Sequence, residues 1–313
     1  MSDPAVVLSV PRFQPFAETL LEHGNFVRGE TAEETFPNGE IRREILTADI
    51  RGKNVVIVGS TDDADILGLF SYANQAARDA RTVTLAIPFF RYAAMERRNG
   101  RDGLIIAAKD RADILSAIPR ASQGNNVVMF DLHAEAVEHY FRSDRIVPRP
   151  VRCEPVIAEA IRKMIEGDLV IASADSGRHD WITSLAEHMG LDYALVNKKR
   201  IDGTRTIILG DIVGSVEGKT VVMYDDMIRT GGTAIKAADK YLSCGAKEIW
   251  LVATHADFSP DAMQKLSSSQ KIAGVITTNS YPTFMQLAKD YADFYRVVPL
   301  EPYAGASIQK FLG

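Results

Sequence analysis

The residues best able to do chemistry lie in one stretch, 220–245, which reads TVVMYDDMIRTGGTAIKAADKYLSCG. An apolar run, 221–224, is expected to form a strand that ends in two carboxylates, Asp225 and Asp226. A turn with Thr230, Gly231, Gly232 and Thr233 follows, then an amphipathic helical pattern. In open α/β sheets, ligands bind where strand C-terminal ends meet helix N-termini. Glycines there let backbone N–H groups approach a phosphate, and the helix dipole favours the anion. The threonines add hydroxyl donors. Adjacent carboxylates act differently, accepting hydrogen bonds from sugar hydroxyls or holding Mg2+ through water. Phosphate donors a few residues from sugar acceptors point to a sugar phosphate. No GxxxxGK[ST] loop is present, so this is not a P-loop nucleotide site.

Such a turn needs a buried sheet to hold it. Short β-rich runs recur at 5–10, 54–59, 82–90, 126–131, 168–173, 193–197, 220–224, 248–254 and 274–278. Most are continuously apolar, as suits strands covered on both faces of a parallel sheet. Helical patterns alternate with them at 16–23, 64–80, 110–117, 154–165, 181–189, 233–244 and 259–266. This alternation implies an α/β fold with right-handed crossovers. The pattern plays twice, with a break near 143–150 (SDRIVPRP), whose prolines and charges suit a linker. Two similar domains are expected, 1–146 and 147–313.

The chain has 313 residues and a net charge of −5, with 46% hydrophobic and 25% charged residues. That composition excludes wholesale disorder. It also argues against a general nucleic-acid surface, which would need a Lys/Arg surplus. Two cysteines, Cys153 and Cys244, make neither a disulfide framework nor a zinc motif. No apolar run approaches 18 residues and no secretory leader is evident, so a cytoplasmic protein with no membrane partner is expected.

The segment DDMIRTGGT resembles the phosphoribosyl-pyrophosphate (PRPP) loop of phosphoribosyltransferases and of ribose-phosphate pyrophosphokinases. Other segments select the latter family. FPNGE at 36–40, DLH at 131–133, SADSG at 173–177 and KKR at 198–200 resemble its elements in order. GSVEGK at 214–219, Thr254 with His255, and NSYP at 279–282 continue the series. The resemblance implies two similar phosphoribosyltransferase-type domains, each a mainly parallel sheet flanked by helices, the second carrying the PRPP loop. It also implies transfer of the β,γ-pyrophosphoryl group of ATP to the C1 hydroxyl of ribose 5-phosphate, giving PRPP and AMP for nucleotide biosynthesis.

The roles it implies are specific. Asp225 and Asp226 would hold the ribose hydroxyls, and Thr230, Gly231, Gly232 and Thr233 the 5-phosphate, with Arg229 beside them. Lys198 and Arg200 would steady charge on the transferring group, with His133 at a strand end near it. His133 and Asp175 would lie near Mg2+. Phe36, Asn38, Glu40, Arg97 and Arg98 would contact ATP, the first three usually from a neighbouring subunit. A homo-oligomer, dimer or hexamer, is therefore implied, with ATP as co-substrate.

The chain departs from the family pattern in its substrate loops. Ala94 and Met95 stand for an expected Arg and Gln. Arg178 and His179 follow SADSG where small residues are usual, and Arg229 enters the PRPP loop. The tail after Pro299 matches poorly. The added cations motivate an acceptor with a larger 5-substituent, such as ADP-ribose. The lost Arg and Gln motivate a catalytically silent paralogue. An enzyme that consumes PRPP is disfavoured by the duplicated layout.

Overall fold

A computed structural model describes residues 3–47, 49–98, 100, 102–174, 176–196, 199–202, 205–207 and 212–312, with backbone alone at 176, 199–202 and 205–207. The chain divides into two compact units, Met1–Arg152 with Leu300–Gly313, and Cys153–Pro299.

The first unit contains β1 (Ala5–Ser9), α1 (Gln14–Leu20), β2 (Phe26–Arg28), β3 (Thr31–Thr35), β4 (Ile41–Ile45), β5 (Asn54–Val58), α2 (Ile66–Ala76), β6 (Thr82–Ile87), α3 (Ala107–Ser116), β7 (Asn125–Phe130) and β8 (Val147–Val151). Six strands form one sheet in the order β2-β1-β5-β6-β7-β8, and every pairing is parallel. The hairpin β3–β4 stands apart as its own antiparallel pair. β1, β5 and β6 are buried along their whole length, which is why they read as unbroken apolar runs.

The second unit contains α4 (Glu154–Met164), β9 (Leu169–Ser173), α5 (His179–Met189), β10 (Tyr193–Val196), β11 (Lys199–Asp202), β12 (Arg205–Ile207), β13 (Ile212–Val213), β14 (Thr220–Ile228), α6 (Gly232–Ser243), β15 (Glu248–Ala256), α7 (Ala262–Ser268), β16 (Gly274–Thr278), α8 (Met285–Asp290) and β17 (Tyr295–Val298). Its sheet runs β13-β10-β9-β14-β15-β16-β17, parallel except at the β10–β13 edge. Residue parity assigns the faces. Val221 and Met223 pack with Ala237, Tyr241 and Leu266 on one side; Val222 and Tyr224 pack with Ile157, Ile182 and Leu185 on the other.

The two units share one layout. Setting β13 aside, the order second-first-fifth-sixth-seventh-eighth of the first sheet recurs as β10-β9-β14-β15-β16-β17, and each unit places an antiparallel hairpin before the strand that is third in that order. The expected fold class, two similar α/β units with mainly parallel sheets, is what the structure shows. All nine expected strands are present.

Two expectations need correction. The stretch 143–150 is not a linker: 147–151 is β8, in parallel register with β7 through Val127↔Pro148 and Met129↔Pro150. Its prolines are tolerated because β8 is an edge strand and needs no donors on its open side. The division therefore falls at 152/153, not 146/147, and the tail returns to the first unit. Leu312 O and Phe311 O accept hydrogen bonds from Asn54 Nδ2 (2.8 Å) and Asn126 Nδ2 (3.3 Å). The C-terminal helix Glu301–Gln309 packs so closely that a Cβ on Gly305 would lie 2.2 Å from the His23 carbonyl oxygen. Gly305→Ala is therefore expected to destabilise the fold by about 1–3 kcal/mol through overpacking, read as a lower denaturant midpoint. An unchanged midpoint would contradict this packing.

Candidate active site

Strand β14 positions the site. It pairs with β15 along its full length, but with β9 only over Thr220–Met223. Beyond Met223 it overhangs its neighbour, and Asp225 and Asp226 lie on that overhang. The strand does not stop at Tyr224 as expected; it runs through both carboxylates to Ile228 in unbroken register. Successive residues then project to opposite faces. Asp225 falls on the side of Met223 and α6, and Asp226 on the side of Tyr224 and α5.

The turn after β14 is exposed. Gly231 has φ +71°, the left-handed region, and a Cβ there would meet Leu266 Cδ2 at 2.7 Å. Only glycine satisfies both the dihedral and the space. α6 begins at Gly232 with no side chain capping it, and Thr230, Gly232 and Thr233 are exposed. Its first N–H groups thus have no side-chain acceptor at Gly231, the arrangement that receives phosphate. Ser259 N and Asp257 N donate to Arg229 O (2.9 Å) and Ile228 O (3.1 Å), which ties the turn to the segment after β15.

Two cations, Arg178 and Arg229, face three acids here. Arg178, at the start of α5, donates from Nη2 to Asp226 Oδ1 and forms an ion pair from Nε with Asp225 Oδ1 at 3.0 Å. Its fork reaches a carboxylate from each face of β14. The Trp181 ring lies 5.2 Å from the guanidinium carbon and 6.0 Å from the Tyr224 ring. Burial, with Asp226 next to it, pushes the Asp225 carboxyl well above the usual carboxylate range, and Arg178 opposes that rise. Arg229 Nε pairs with Asp257 Oδ2 at 3.2 Å. Tyr241 Oη donates to Ser173 O at 2.9 Å, so α6 also fixes the start of the 173–177 loop; burial raises its hydroxyl pKa. Sequence reasoning missed Tyr241 and Trp181 as supports. It flagged Arg178 as an added cation, but not its pairing with the two acids.

In the first unit, 36–40 forms the tip of the β3–β4 hairpin. Phe36 N donates to Glu40 O at 2.8 Å, Asn38 Oδ1 accepts from Glu40 N at 3.1 Å, and Gly39 has φ +88°. Phe36, Asn38 and Glu40 are all exposed, with Arg42 5.8 Å from the Phe36 ring centre. The hairpin stem is anchored through Glu33 Oε1, which accepts from Arg43 Nε at 2.8 Å and Tyr72 Oη at 3.2 Å. Burial and Glu33 push the Tyr72 hydroxyl up to about 12. Arg97 and Arg98 are exposed, and Arg97 Nε pairs with the adjacent Glu96 at 3.0 Å. Met95 is also exposed. His133 follows β7 on a turn where Asp131 is buried with φ +39°, a costly conformation for a non-glycine residue and a frequent mark of functional sites. His255 is a core residue of β15, its Nδ1 2.9 Å from Ser280 Oγ.

Lys198 and Asp175, and the side chain of Arg200, lie outside the described residues. Among the described residues no cluster of three or more His, Cys, Asp or Glu side chains could hold a metal, and both loop acids already face a guanidinium.

Because Asp225 is raised in the folded state, its contribution favours folding at low pH and is lost as pH rises above the unfolded value of about 4 through the folded one. Asp225→Asn is therefore expected to be neutral or stabilising at pH 8, with the gain shrinking toward pH 4 in urea titrations. Equal destabilisation at both pH values would show that the acid pair is not strained.

A family profile described as the N-terminal domain of ribose phosphate pyrophosphokinase matches residues 5–118, and one described as the phosphoribosyl synthetase-associated domain matches 206–292. The chain is similar to the ribose-phosphate pyrophosphokinase of Ralstonia nicotianae, 32% identical over 270 residues, covering 85% of this chain and 82% of the relative. The corresponding protein of Aquifex aeolicus is 29% identical over 282 residues, covering 88% and 86%. The crystal structure of phosphoribosylpyrophosphate synthetase from Mycobacterium smegmatis shares the fold, with TM-score 0.83, 24% identity and 99% coverage of both chains. With nearly a third of its residues shared along most of the length of such a relative, the chain belongs to the ribose-phosphate pyrophosphokinase family.

Proposed function

We propose that this chain catalyses transfer of the β,γ-diphosphoryl group of ATP to the C1 hydroxyl of ribose 5-phosphate, yielding PRPP and AMP. The observation that carries the reading is the exposed glycine turn at the start of α6, whose Gly231 lies five residues beyond Asp226 of the carboxylate pair, in a member of this family. The C1 oxygen forms a bond to the β-phosphorus, the bond from that phosphorus to the α–β bridging oxygen breaks, and AMP leaves with that oxygen. The hydroxyl proton is released.

Thr230, Gly231, Gly232 and Thr233 hold the 5-phosphate through N–H and hydroxyl donors in this reading. Asp225 and Asp226 accept from the ribose 2- and 3-hydroxyls, which orients C1. Lys198 and Arg200 neutralise charge on the group in flight; a point charge and a planar fork are complementary for this. Positioning and charge neutralisation dominate such reactions. His133 lies near the transferring group. Phe36, Asn38 and Glu40 meet the nucleotide with Arg97 and Arg98. The hairpin tip is exposed within one chain, which supports its use by a neighbouring subunit in a homo-oligomer. Mg2+ arrives bound to the triphosphate as part of the substrate, with His133 and Asp175 near it. Among the described residues no helix is long and apolar enough to cross a membrane, which fits a cytoplasmic setting.

A larger, more anionic acceptor gains nothing from the geometry. Arg178 and Arg229, the cations that motivate it, already face Asp225, Asp226 and Asp257.

Incubation with ATP, Mg2+ and ribose 5-phosphate is expected to give AMP and PRPP by phosphorus NMR. AMP formed only with ADP-ribose would replace the acceptor; no turnover with either would make the chain a silent paralogue. Lys198→Ala is expected to lower kcat at least 100-fold while changing the KM for sugar less than about threefold, as for a contact made in the transition state. A rise in KM with kcat intact would remove that role.

A further inference from the structure

The N-terminal edge of the first sheet carries a cavity of about 310 Å3, at the opposite end of β7 from Asp131 and His133. It lies within the first unit, where β6, β7 and β8 begin at Thr82, Asn125 and Val147, and Phe311 and Leu312 of the tail close it. Open α/β sheets bind ligands at their C-terminal edge, so this end is expected to be plain scaffold. Instead three arginines, Arg120, Arg145 and Arg149, line the cavity against one acid, Asp144. That local surplus of positive charge stands in a chain whose net charge is −5.

Arg149 is built into the wall. Its Nε donates to Asn126 Oδ1 at 3.1 Å, and its guanidinium carbon lies 5.2 Å from the centre of the Phe311 ring. Asn126 Nδ2 in turn donates to Phe311 O at 3.3 Å, so one amide fixes both the arginine and the tail. The two terminal amino groups of this half-buried guanidinium have no acceptor among the described residues. Arg120 reaches in from the segment before β7, its Nε 3.7 Å from where a Cβ on Gly124 would stand, and it faces no acid among the described residues. Arg145 pairs at 3.6 Å with its neighbour Asp144. The floor is bonded within itself: Asn125 Oδ1 accepts from Ala121 N at 3.1 Å, Asn125 Nδ2 donates to Pro119 O at 2.8 Å, and Thr82 Oγ1 donates to Asn54 Oδ1 at 2.7 Å.

Half-buried N–H groups of a cation are costly to leave unanswered. A carboxylate brings two oxygens and one charge. A phosphoryl group brings three terminal oxygens and a charge of about −1.5 to −2 at neutral pH, which suits three guanidinium forks set against one acid. The volume is at the lower end of the range for small-molecule sites, so an organic substituent has room. We propose that this cavity is a second anion site, sharing no residue with the candidate active site, and that it takes a phosphoryl dianion, free or as a small monoester, on Arg149 and Arg120 with Arg145 at the rim. Because Asn126 ties Arg149 to Phe311, occupation of the site and docking of the tail support each other.

The test is calorimetric titration of the full chain, at fixed ionic strength, with inorganic phosphate and with glycerol 3-phosphate. Arg120→Ala and Arg149→Ala are each expected to weaken a phosphate-binding event by about 10- to 100-fold. Lys163→Ala removes the same charge from an exposed position on α4 and is expected to leave that event unchanged. Phosphate held at the turn before α6 responds to none of these changes, so the outcome does not depend on the reading of that turn. Arg149→Lys keeps the charge without the fork and is expected to lose part of the affinity. Arg120 is exposed, and its variant carries the test if those at Arg149 do not fold. Tighter binding of glycerol 3-phosphate than of inorganic phosphate assigns the site to a monoester, and the reverse order to free phosphate. Isotherms unaltered by both alanine variants would overturn the proposal, as would an equal loss in Lys163→Ala. A changed oligomeric state in Arg120→Ala with phosphate binding intact would also overturn it, by making the cluster a contact between copies.

Discussion

Strand β14 is longer than the neighbour that covers one of its edges, and the site follows from that mismatch. Over Thr220–Met223 the strand is hydrogen-bonded on both sides and wholly buried. From Tyr224 onward β15 alone continues beside it. Polar side chains become tolerable there, because an uncovered edge admits side chains and ligands that the sheet interior would exclude. Two carboxylates on consecutive residues then emerge on opposite faces, and the charge they bring must be compensated locally. Arg178 supplies that compensation across the edge. Without the overhang there would be no edge for its fork to straddle.

The repeated layout makes the asymmetry between the units informative. In the first unit the segment after β5 occupies the place that the glycine turn occupies after β14, and there the chain fills the position with its own acids. Ser60 Oγ donates to Asp65 Oδ2 at 2.8 Å, and Ala64 N donates to Asp62 Oδ1 at 2.9 Å. Arg91 and Arg12 close on Asp62 Oδ2 at 2.6 and 3.4 Å. Asp62 and Asp65 thus place carboxylates in the loop before α2, which, like α6, begins without a side-chain cap. In the second unit Gly231 places no side chain there, and the N–H groups of α6 face outward. One fold presents an acid-lined turn in one unit and a glycine turn in the other, and the difference rests on a few side chains.

Substrate-loop departures read differently once charges are paired. Taken as bare cations, Arg178 and Arg229 suggest room for extra negative charge on an acceptor. Each instead faces a carboxylate of its own unit, so neither adds a net positive pocket. The exposure of Met95 and Arg97 shows that the region of the missing Arg and Gln is surface within one chain.

The local pattern of the chain was sufficient for much of this. Continuous apolar runs marked the buried parallel strands, because burial on both faces leaves no polar positions. The spacing of Asp225, Asp226, Thr230, Gly231, Gly232 and Thr233 marked the strand end and the glycine turn at the start of α6, because a left-handed, closely packed turn admits few residue types. Edge strands were not legible: β8 carries prolines that look like a linker, and whether they are tolerated depends on which side of a sheet they face. Nor was the destination of the tail, which depends on His23 and Asn54, hundreds of residues away in sequence. Above all, the bond from Arg178 to the acid pair spans 48 residues and two elements, and only the folding of α5 against β14 brings the charges together. Composition can say that a cation is present, but the charge it answers is decided by distance in space, and that belongs to the tertiary structure.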